Sequence, residues 1–218
     1  MKYLSLILCT LILTACSAIE RFNTDKTDIT ITTPDNKARL KITSSTPYVF
    51  AVPDSKCIDL SKTVKIIDKV KFPVNKEKDN IAEYPISSIN MPKISLSEFA
   101  NHQWKFQNYY DSYVSREIEI DADKPFVVFV KKNGGDLVSS LFATFGDDIY
   151  PFIYAYWFQP ERNHDYQILL DVNSKYIRQH NRAGYQYTYR LGMFDITNGQ
   201  IQVVKPPQMG ATISSCNQ

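Results

Sequence analysis

Histidines and carboxylates are the residues of this chain best suited to acid–base chemistry, but their spacing does not predict a catalytic set. His102, His164 and His180 lack the short spacings that bring two imidazoles to one metal ion. No known serine-nucleophile, phosphate-loop, dinucleotide or metalloprotease motif is present. We therefore expect no catalytic residues and no metal site, and a protein that is not an enzyme. His164 beside Asp165 or Glu161 leaves a hydrolase as one alternative.

Tyrosine and arginine are concentrated in the second half of the chain, where they suit binding rather than catalysis. In a strand, Tyr185, Tyr187 and Tyr189 share one face, and arginines flank them. Tyrosine, tryptophan and arginine are typical of the residues that dominate protein interfaces. The same tyrosines equally suit cross-strand packing in a core. The candidate partner-binding residues are Tyr185, Tyr187, Tyr189, Arg190, Arg182 and Trp157.

The N-terminus carries a short apolar run with a distinctive end. Lys2 supplies a positive charge, Leu4 to Leu13 are apolar, and Thr14 and Ala15 precede Cys16. The run is too short to span a bilayer, which leaves a cleaved signal as the interpretation.

This segment resembles the lipobox of bacterial lipoproteins. The resemblance implies a signal peptide over 1–15, cleavage before Cys16, and a diacylglyceryl thioether with an acylated (palmitate-type) amine on that residue. Residues 16–27 would form a lipidated tether, and no other cofactor is expected. Ser17, where inner-membrane lipoproteins carry Asp, favours the outer membrane, with the protein in the bacterial cell envelope and facing the periplasm.

Two cysteines remain once the lipoprotein resemblance is applied. Cys9 leaves with the signal and Cys16 is consumed by the lipid. In an oxidising periplasm, Cys57 and Cys216 predict a structural disulfide. Two unpaired buried thiols are the alternative.

Composition bounds the size of the domain and its partners. Residues 28–218 are expected to form a single domain. Removing Lys2 leaves 24 basic against 23 acidic residues, and no basic stripe suited to phosphates stands out. We therefore expect no nucleic-acid partner.

Short apolar–polar alternations bounded by turn residues recur along the chain, which predicts a mainly β, antiparallel β-sandwich. Asn133–Asp136 and Asn198–Gly199 are predicted hairpin turns. The predicted strands are 28–33, 38–43, 48–52, 69–74, 115–121, 126–131, 137–145, 150–158, 165–172, 184–194, 200–205 and 211–215.

One helix is predicted, around residues 95–109. Ser95 and Glu98 have capping-box spacing, and an apolar stripe follows them. The polar stretch 75–92 before it is expected to be a loop. Loop and helix together predict an insertion over residues 75–110.

The stretch Phe158 to Ile168 loosely resembles the corner of immunoglobulin-like sandwiches. There, a tyrosine just inside a strand hydrogen-bonds back to the preceding turn, and Tyr166 has that position. The resemblance implies an immunoglobulin-like form of the sandwich, although Ile168 replaces the family's buried cysteine.

Taken together, these patterns favour a lipid-anchored, non-enzymatic accessory or assembly factor. It would be held at the membrane by its lipid and would bind an envelope protein through the tyrosine and arginine residues. A glycan- or peptidoglycan-binding sensor and an envelope hydrolase with an unrecognised site are the alternatives.

Overall fold

The computed structural model describes residues 28–68, 70–74, 81–102, 104, 112–131, 152–179, 182–205, 208–210 and 216. For residues 60, 131, 152–154, 174–179, 182–187 and 208–210 it describes the backbone alone. The predicted signal, tether, strand 137–145 and turn 133–136 lie outside the described residues.

The described chain is mainly β, with mostly antiparallel strands in two sheets and one short α-helix, as the sequence predicts. The strands are β1 Lys37–Ser44, β2 Tyr48–Pro53, β3 Val64–Asp68, β4 Ala82–Ser87, β5 Ser112–Asp121, β6 Phe126–Lys131, β7 Phe152–Phe158, β8 Asp165–Gln179, β9 Arg182–Asp195, β10 Gln202–Val203 and β11 Gln208–Gly210. Helix α1 is Leu96–Phe99, and 3₁₀ turns span Leu60–Lys62, Ala100–His102 and Thr197–Gly199.

Sheet A has the strand order β10-β9-β8-β1-β5-β4, and sheet B the order β11-β7-β6-β2-β3. Two neighbouring pairs in sheet A are parallel, β1 with β8 and β4 with β5. The remaining pairs are antiparallel.

Alternation along the central strands of sheet A builds two separate apolar clusters. Leu40, Ile42 and Ile168 belong to the main core between the sheets. On the opposite face, Leu169 belongs to a second cluster, which includes the segment around α1. The second cluster comprises Met91, Ile94, Leu96, Phe99, Trp104, Tyr113, Leu169, Phe194 and Ile196.

Strand β5 follows the predicted alternation. Ile120 is fully buried in the main core, while the charges at 117 and 119 face away from it. The Glu117 carboxylate accepts hydrogen bonds from the backbone N–H groups of Ile89 (2.7 Å) and Met91 (3.3 Å). Burial raises the pKa of Glu117, but the bonds from this segment outweigh that effect and the net pKa is lowered. β5 thus fastens residues 88–91 to sheet A.

The N-terminal segment 28–33 was predicted as a strand, and this is wrong. Its polar groups bind one carboxylate instead of a neighbouring strand. Asp121 accepts from the backbone N–H groups of Thr32 (3.0 Å) and Thr33 (2.9 Å) and from both threonine hydroxyls. At the start of the segment, Asp28 lies 3.4 Å from the Arg116 guanidinium, so the segment contacts side chains of β5 at both positions.

Two other boundaries differ from expectation. The strand predicted over 69–74 lies earlier, at β3, and residues 70–74 are irregular. The predicted loop 75–92 contains β4, in which Pro85 is tolerated because β4 is an edge strand. By contrast, the predicted turn at Asn198–Gly199 is confirmed, with φ of 58° and 75°, and it leads from β9 into β10.

Helix α1 starts where the capping pattern places it. The Glu98 carboxylate accepts the Ser95 backbone N–H at 2.7 Å. The helix ends at Phe99 and continues as one 3₁₀ turn, so its α-helical part is shorter than the predicted stripe.

The predicted disulfide is present. Cys57 and Cys216 are bonded, and the Cys216 N–H donates to the carbonyl of Ile58 at 3.2 Å. The bridge ties the C-terminal end of the chain to the loop that follows β2.

Candidate functional site

The most unusual part of the described backbone is the hairpin of β8 and β9. The two strands pair continuously from Tyr166↔Asp195 to Gln179↔Arg182. β1 accompanies β8 only as far as Leu170, and β10 accompanies β9 only at Phe194 and Asp195. Among the described residues, the part beyond Val172 and Tyr189 is a two-stranded ribbon.

We call this ribbon, residues 173–179 and 182–188, the arm. It contains seven residue pairs, from Asn173↔Thr188 to Gln179↔Arg182. At about 3.3 Å per residue it extends about 23 Å. Isolated two-stranded hairpins are marginally stable, so the base of the arm needs support from the domain.

One support is a close contact between the segment after α1 and β9. An added Cβ on Gly192 would lie 2.7 Å from Cε3 and Cζ3 of Trp104, so glycine is required for the indole to pack there. The Trp104 ring also meets Phe194 edge-on, with ring centroids 6.3 Å apart. The Arg190 guanidinium lies over the same indole, 5.1 Å from its centroid.

A second support is a buried polar contact at the same level. Asp171 is fully buried and pairs in register with Arg190. The Tyr113 hydroxyl donates to the Asp171 carboxylate at 2.8 Å, which joins β5 to the base of the arm across the outer face of β1. Sequence reasoning missed Trp104, Gly192 and Asp171, because their roles depend on strand register.

The structure separates the six candidate partner-binding residues into four places. Tyr185, Tyr187 and Arg182 lie in the arm, where only the backbone is described. Tyr189 is 9 % exposed and belongs to the main core, and Arg190 covers Trp104. Trp157 lies in β7 of sheet B, with the Lys56 ammonium 4.7 Å from its ring centroid. The arm therefore holds three of the six candidates.

His164 does meet a carboxylate, but a different one from those named in the sequence. Its Nδ1 lies 2.6 Å from Asp195, whereas Nε2 is 3.7 Å from Glu161. The neighbouring Asp165 instead forms a bidentate pair with Arg39 at 2.6 Å. Burial raises the pKa of Asp195, but bonds from Thr197 and His164 outweigh burial and lower it overall.

The Thr197 hydroxyl lies near this pair but is not placed to act as a nucleophile activated by His164. The Thr197 hydroxyl donates to the Asp195 carboxylate at 2.6 Å, so it contacts the carboxylate and not the imidazole. A general base must lie within hydrogen-bond reach of the proton it takes. The arrangement joins the start of β8 to the end of β9.

Tyr166 makes the corner contact expected of it. Its hydroxyl oxygen accepts the backbone N–H of Glu161 at 3.0 Å. Burial raises the pKa of Tyr166 to about 12. His164 stacks on the Tyr166 ring with centroids 6.0 Å apart, so the turn is held by both residues.

Within the described ranges, no group of three or more His, Cys, Asp or Glu side chains is placed to hold a metal ion. No helix in the same ranges has the length and apolar character needed to cross a bilayer. His102 lies in the 3₁₀ turn after α1, and His180 lies outside the described residues.

Comparison of the chain with protein-family models, with curated proteins and with solved structures finds no match in any of the three.

Proposed function

We propose that this chain is a lipid-anchored, non-enzymatic accessory or assembly factor of the bacterial envelope, which holds a partner protein through the arm. The observation that carries the proposal is the arm itself. It combines Tyr185, Tyr187 and Arg182 on a ribbon that no other described strand accompanies. Projecting elements with these residue types are typical of protein recognition.

The non-enzymatic part of the proposal is supported by the histidine corner. Its imidazole and carboxylate are hydrogen-bonded to each other, and the Thr197 hydroxyl is bonded to the carboxylate. The glycan-binding alternative requires an open face of Trp157 or Tyr187. Lys56 lies over the Trp157 ring, and only the backbone of Tyr187 is described. We therefore put forward neither alternative.

The path of the N-terminal segment supports a lipid anchor on the same side as the arm. Going backwards along the chain, the segment leads from Asp121 towards Arg116, against the direction of β5. β5 is antiparallel to β1, and β1 is parallel to β8, so this direction is also that of β8 towards the tip of the arm. A tether from Cys16 to Asp28 spans at most about 43 Å.

Two experiments on the full-length protein test the proposal. Cys16→Ser should abolish incorporation of labelled palmitate without changing the urea midpoint, since the lipid lies outside the folded domain. Absence of label from the wild type, or equal labelling of the variant, would refute the anchor.

Cross-linking and affinity capture from envelopes test the partner. A Tyr185→Ser, Tyr187→Ser, Arg182→Ser variant should lose a stoichiometric partner that the wild type recovers. Arg162→Ser is the control, because Arg162 is exposed in the turn before β8 and distant in sequence from the arm. Equal recovery by the arm variant and the control would refute a binding role for the arm, and a fall in melting temperature would assign the arm residues to stability.

A further inference from the structure

The arm has one strand edge that continues the line of β1 after β1 has ended. The carbonyl of Leu170 accepts from Ser45, and the N–H of Val172 donates to the Ser45 hydroxyl at 2.8 Å. The carbonyl of His164 likewise accepts from Arg39 in β1. Even-numbered residues of β8 therefore direct their backbone groups towards the β1 side.

Odd-numbered residues of β8 direct their backbone groups to β9, as the bond from the Ile196 N–H to the Asp165 carbonyl illustrates. Strand alternation continues this pattern into the arm. The N–H and C=O groups of Ser174, Tyr176 and Arg178 thus lie along an edge that no described strand occupies. This edge presents alternating donors and acceptors over the arm's length.

The remaining edges of the described sheets are less suited to strand addition. β4 contains Pro85 and a register shift, β10 has two residues, β11 has three and β3 has five. Prolines, bulges and short strands are common ways of blocking an edge. The arm has two long edges that lack them, those of β8 and β9, since the β8–β9 register runs without a shift and β10 covers β9 only at Phe194 and Asp195. The β8 edge is favoured because it continues the line of β1, which already pairs with β8 up to Leu170.

Charge is segregated onto the same ribbon. The arm has three basic residues, Lys175, Arg178 and Arg182, and no acidic one. The whole chain has 25 basic and 23 acidic residues, so the remainder carries 22 against 23. The arm is cationic within a chain that is otherwise slightly anionic.

We infer that the arm takes an acidic, extended segment of an envelope protein, which adds as a further strand along residues 173–179 of β8. Strand addition supplies main-chain hydrogen bonds, and the basic residues select carboxylates. A second copy of this chain does not fit, because two cationic arms repel each other. Phosphate groups of lipids fit less well. A phosphate offers only hydrogen-bond acceptors, whereas the carbonyls of this edge need donors. The inference rests on the proposed function and names the chemistry of its partner.

The test uses the full-length protein and a labelled peptide of about seven alternating valines and glutamates, the length that this edge accommodates. Matched peptides carry lysine or threonine in place of glutamate, and phosphatidylglycerol vesicles represent headgroups. We expect the glutamate peptide to bind best, with an affinity that falls as salt rises. On binding, amide exchange should slow at Ser174, Tyr176 and Arg178.

Two proline variants that change neither charge nor tyrosine content locate the edge. Ser174→Pro removes a donor from the β8 edge and should weaken peptide binding about ten-fold. Ala183→Pro is the matched control, because odd-numbered residues of β9 face the opposite edge, as the bond from Val204 to the Met193 carbonyl illustrates. It should leave binding unchanged. Lys175→Glu with Arg178→Glu should abolish the preference for the glutamate peptide.

Several outcomes would overturn the inference. They are equal binding of all three peptides, equal effects of the two prolines, and binding of vesicles without binding of the glutamate peptide. A partner captured from envelopes equally well by Ser174→Pro and the wild type would refute strand addition but leave the proposed function standing. Failure of the wild type to capture any partner would refute both.

Discussion

Gly192→Ala tests whether the segment after α1 supports the base of the arm. The new Cβ would lie 2.7 Å from two carbons of the Trp104 ring and 2.9 Å from Cε2 of Phe194. Trp104 is 5 % exposed and Phe194 is 2 % exposed, so neither ring is able to move aside without losing burial. Overpacking of this kind costs about 1–3 kcal/mol. The lower backbone entropy of alanine in the unfolded chain offsets about 0.4–1 kcal/mol.

The net expectation is a loss of about 1–2 kcal/mol in the free energy of unfolding. In a domain of this size that corresponds to a fall of roughly 2–8 °C in Tm. Urea unfolding of the full-length protein, followed by far-UV circular dichroism, measures the loss as a lower midpoint at unchanged slope.

A double-mutant cycle with Trp104→Leu identifies the contact responsible. The second change removes the ring carbons that the new methyl group meets, so Gly192→Ala should cost less in that background. Gly199→Ala is the control. Its Cβ would meet nothing within 4 Å, and its cost comes from a φ of +75°, so it should be independent of Trp104. A neutral or stabilising effect of Gly192→Ala, or the same cost with and without the indole, would show that the Trp104 contact does not support the base of the arm.

Three further predictions concern the rest of the domain. Cys57→Ser should lower the free energy of unfolding by up to about 5 kcal/mol, because the bridge closes a loop of 159 positions. Dithiothreitol should lower the urea midpoint of the wild type and leave that of the variant unchanged. An unchanged wild-type midpoint would contradict a stabilising role for the disulfide. Burial raises the pKa of Asp121, but the bonds from Thr32 and Thr33 outweigh burial and hold it well below its usual value. The stability that the ionised Asp121 carboxylate contributes is therefore present above about pH 4 and is lost as the pH falls below that value. Asp121→Asn should lower the free energy of unfolding by about 1–3 kcal/mol at pH 7 and should weaken the dependence of stability on pH in the acid range. If the stability–pH curves of variant and wild type are parallel, Asp121 is not the group responsible. Tyr166→Phe removes the hydrogen bond from the Glu161 N–H and should lower the free energy of unfolding by about 1 kcal/mol. An absorbance titration of the variant should lack one tyrosine ionisation near pH 12 that the wild type shows. If that ionisation survives, it belongs to another tyrosine.

The sequence predicted the parts of the fold whose strands bury one face. In β5, Ile118 and Ile120 alternate with charges, and the strand lies where this pattern places it. The turn at Asn198–Gly199 was equally predictable, because tight hairpin turns favour residues that tolerate positive φ. These signals are local, so the tertiary structure does not alter them.

The errors arose where a distant residue decided the local structure. Thr32 and Thr33 have the β-branched character of a strand, but the Asp121 carboxylate takes their N–H groups and hydroxyls from 88 positions or more away. The first strand of the hairpin was predicted to end at Val172, whereas β8 continues to Gln179. The second strand was predicted over 184–194, close to the observed Arg182–Asp195. β8 continues because β9 pairs with it, and this pairing needs no buried face.

The contacts that support the base of the arm involve different residues from its proposed binding edge. Stability and peptide binding should therefore respond to different substitutions. Trp104 and Tyr113 contact β8 and β9 at Asp171, Gly192 and Phe194, all on the domain side of the arm. The unoccupied backbone groups of Ser174, Tyr176 and Arg178 lie beyond these contacts. A change at Gly192 should therefore lower the unfolding midpoint, and a change at Ser174 should lower peptide affinity while the midpoint stays the same. The unfolding midpoint and the peptide affinity should thus respond to different residues of one hairpin. If a single substitution lowers both, the arm and its base act as one packed unit.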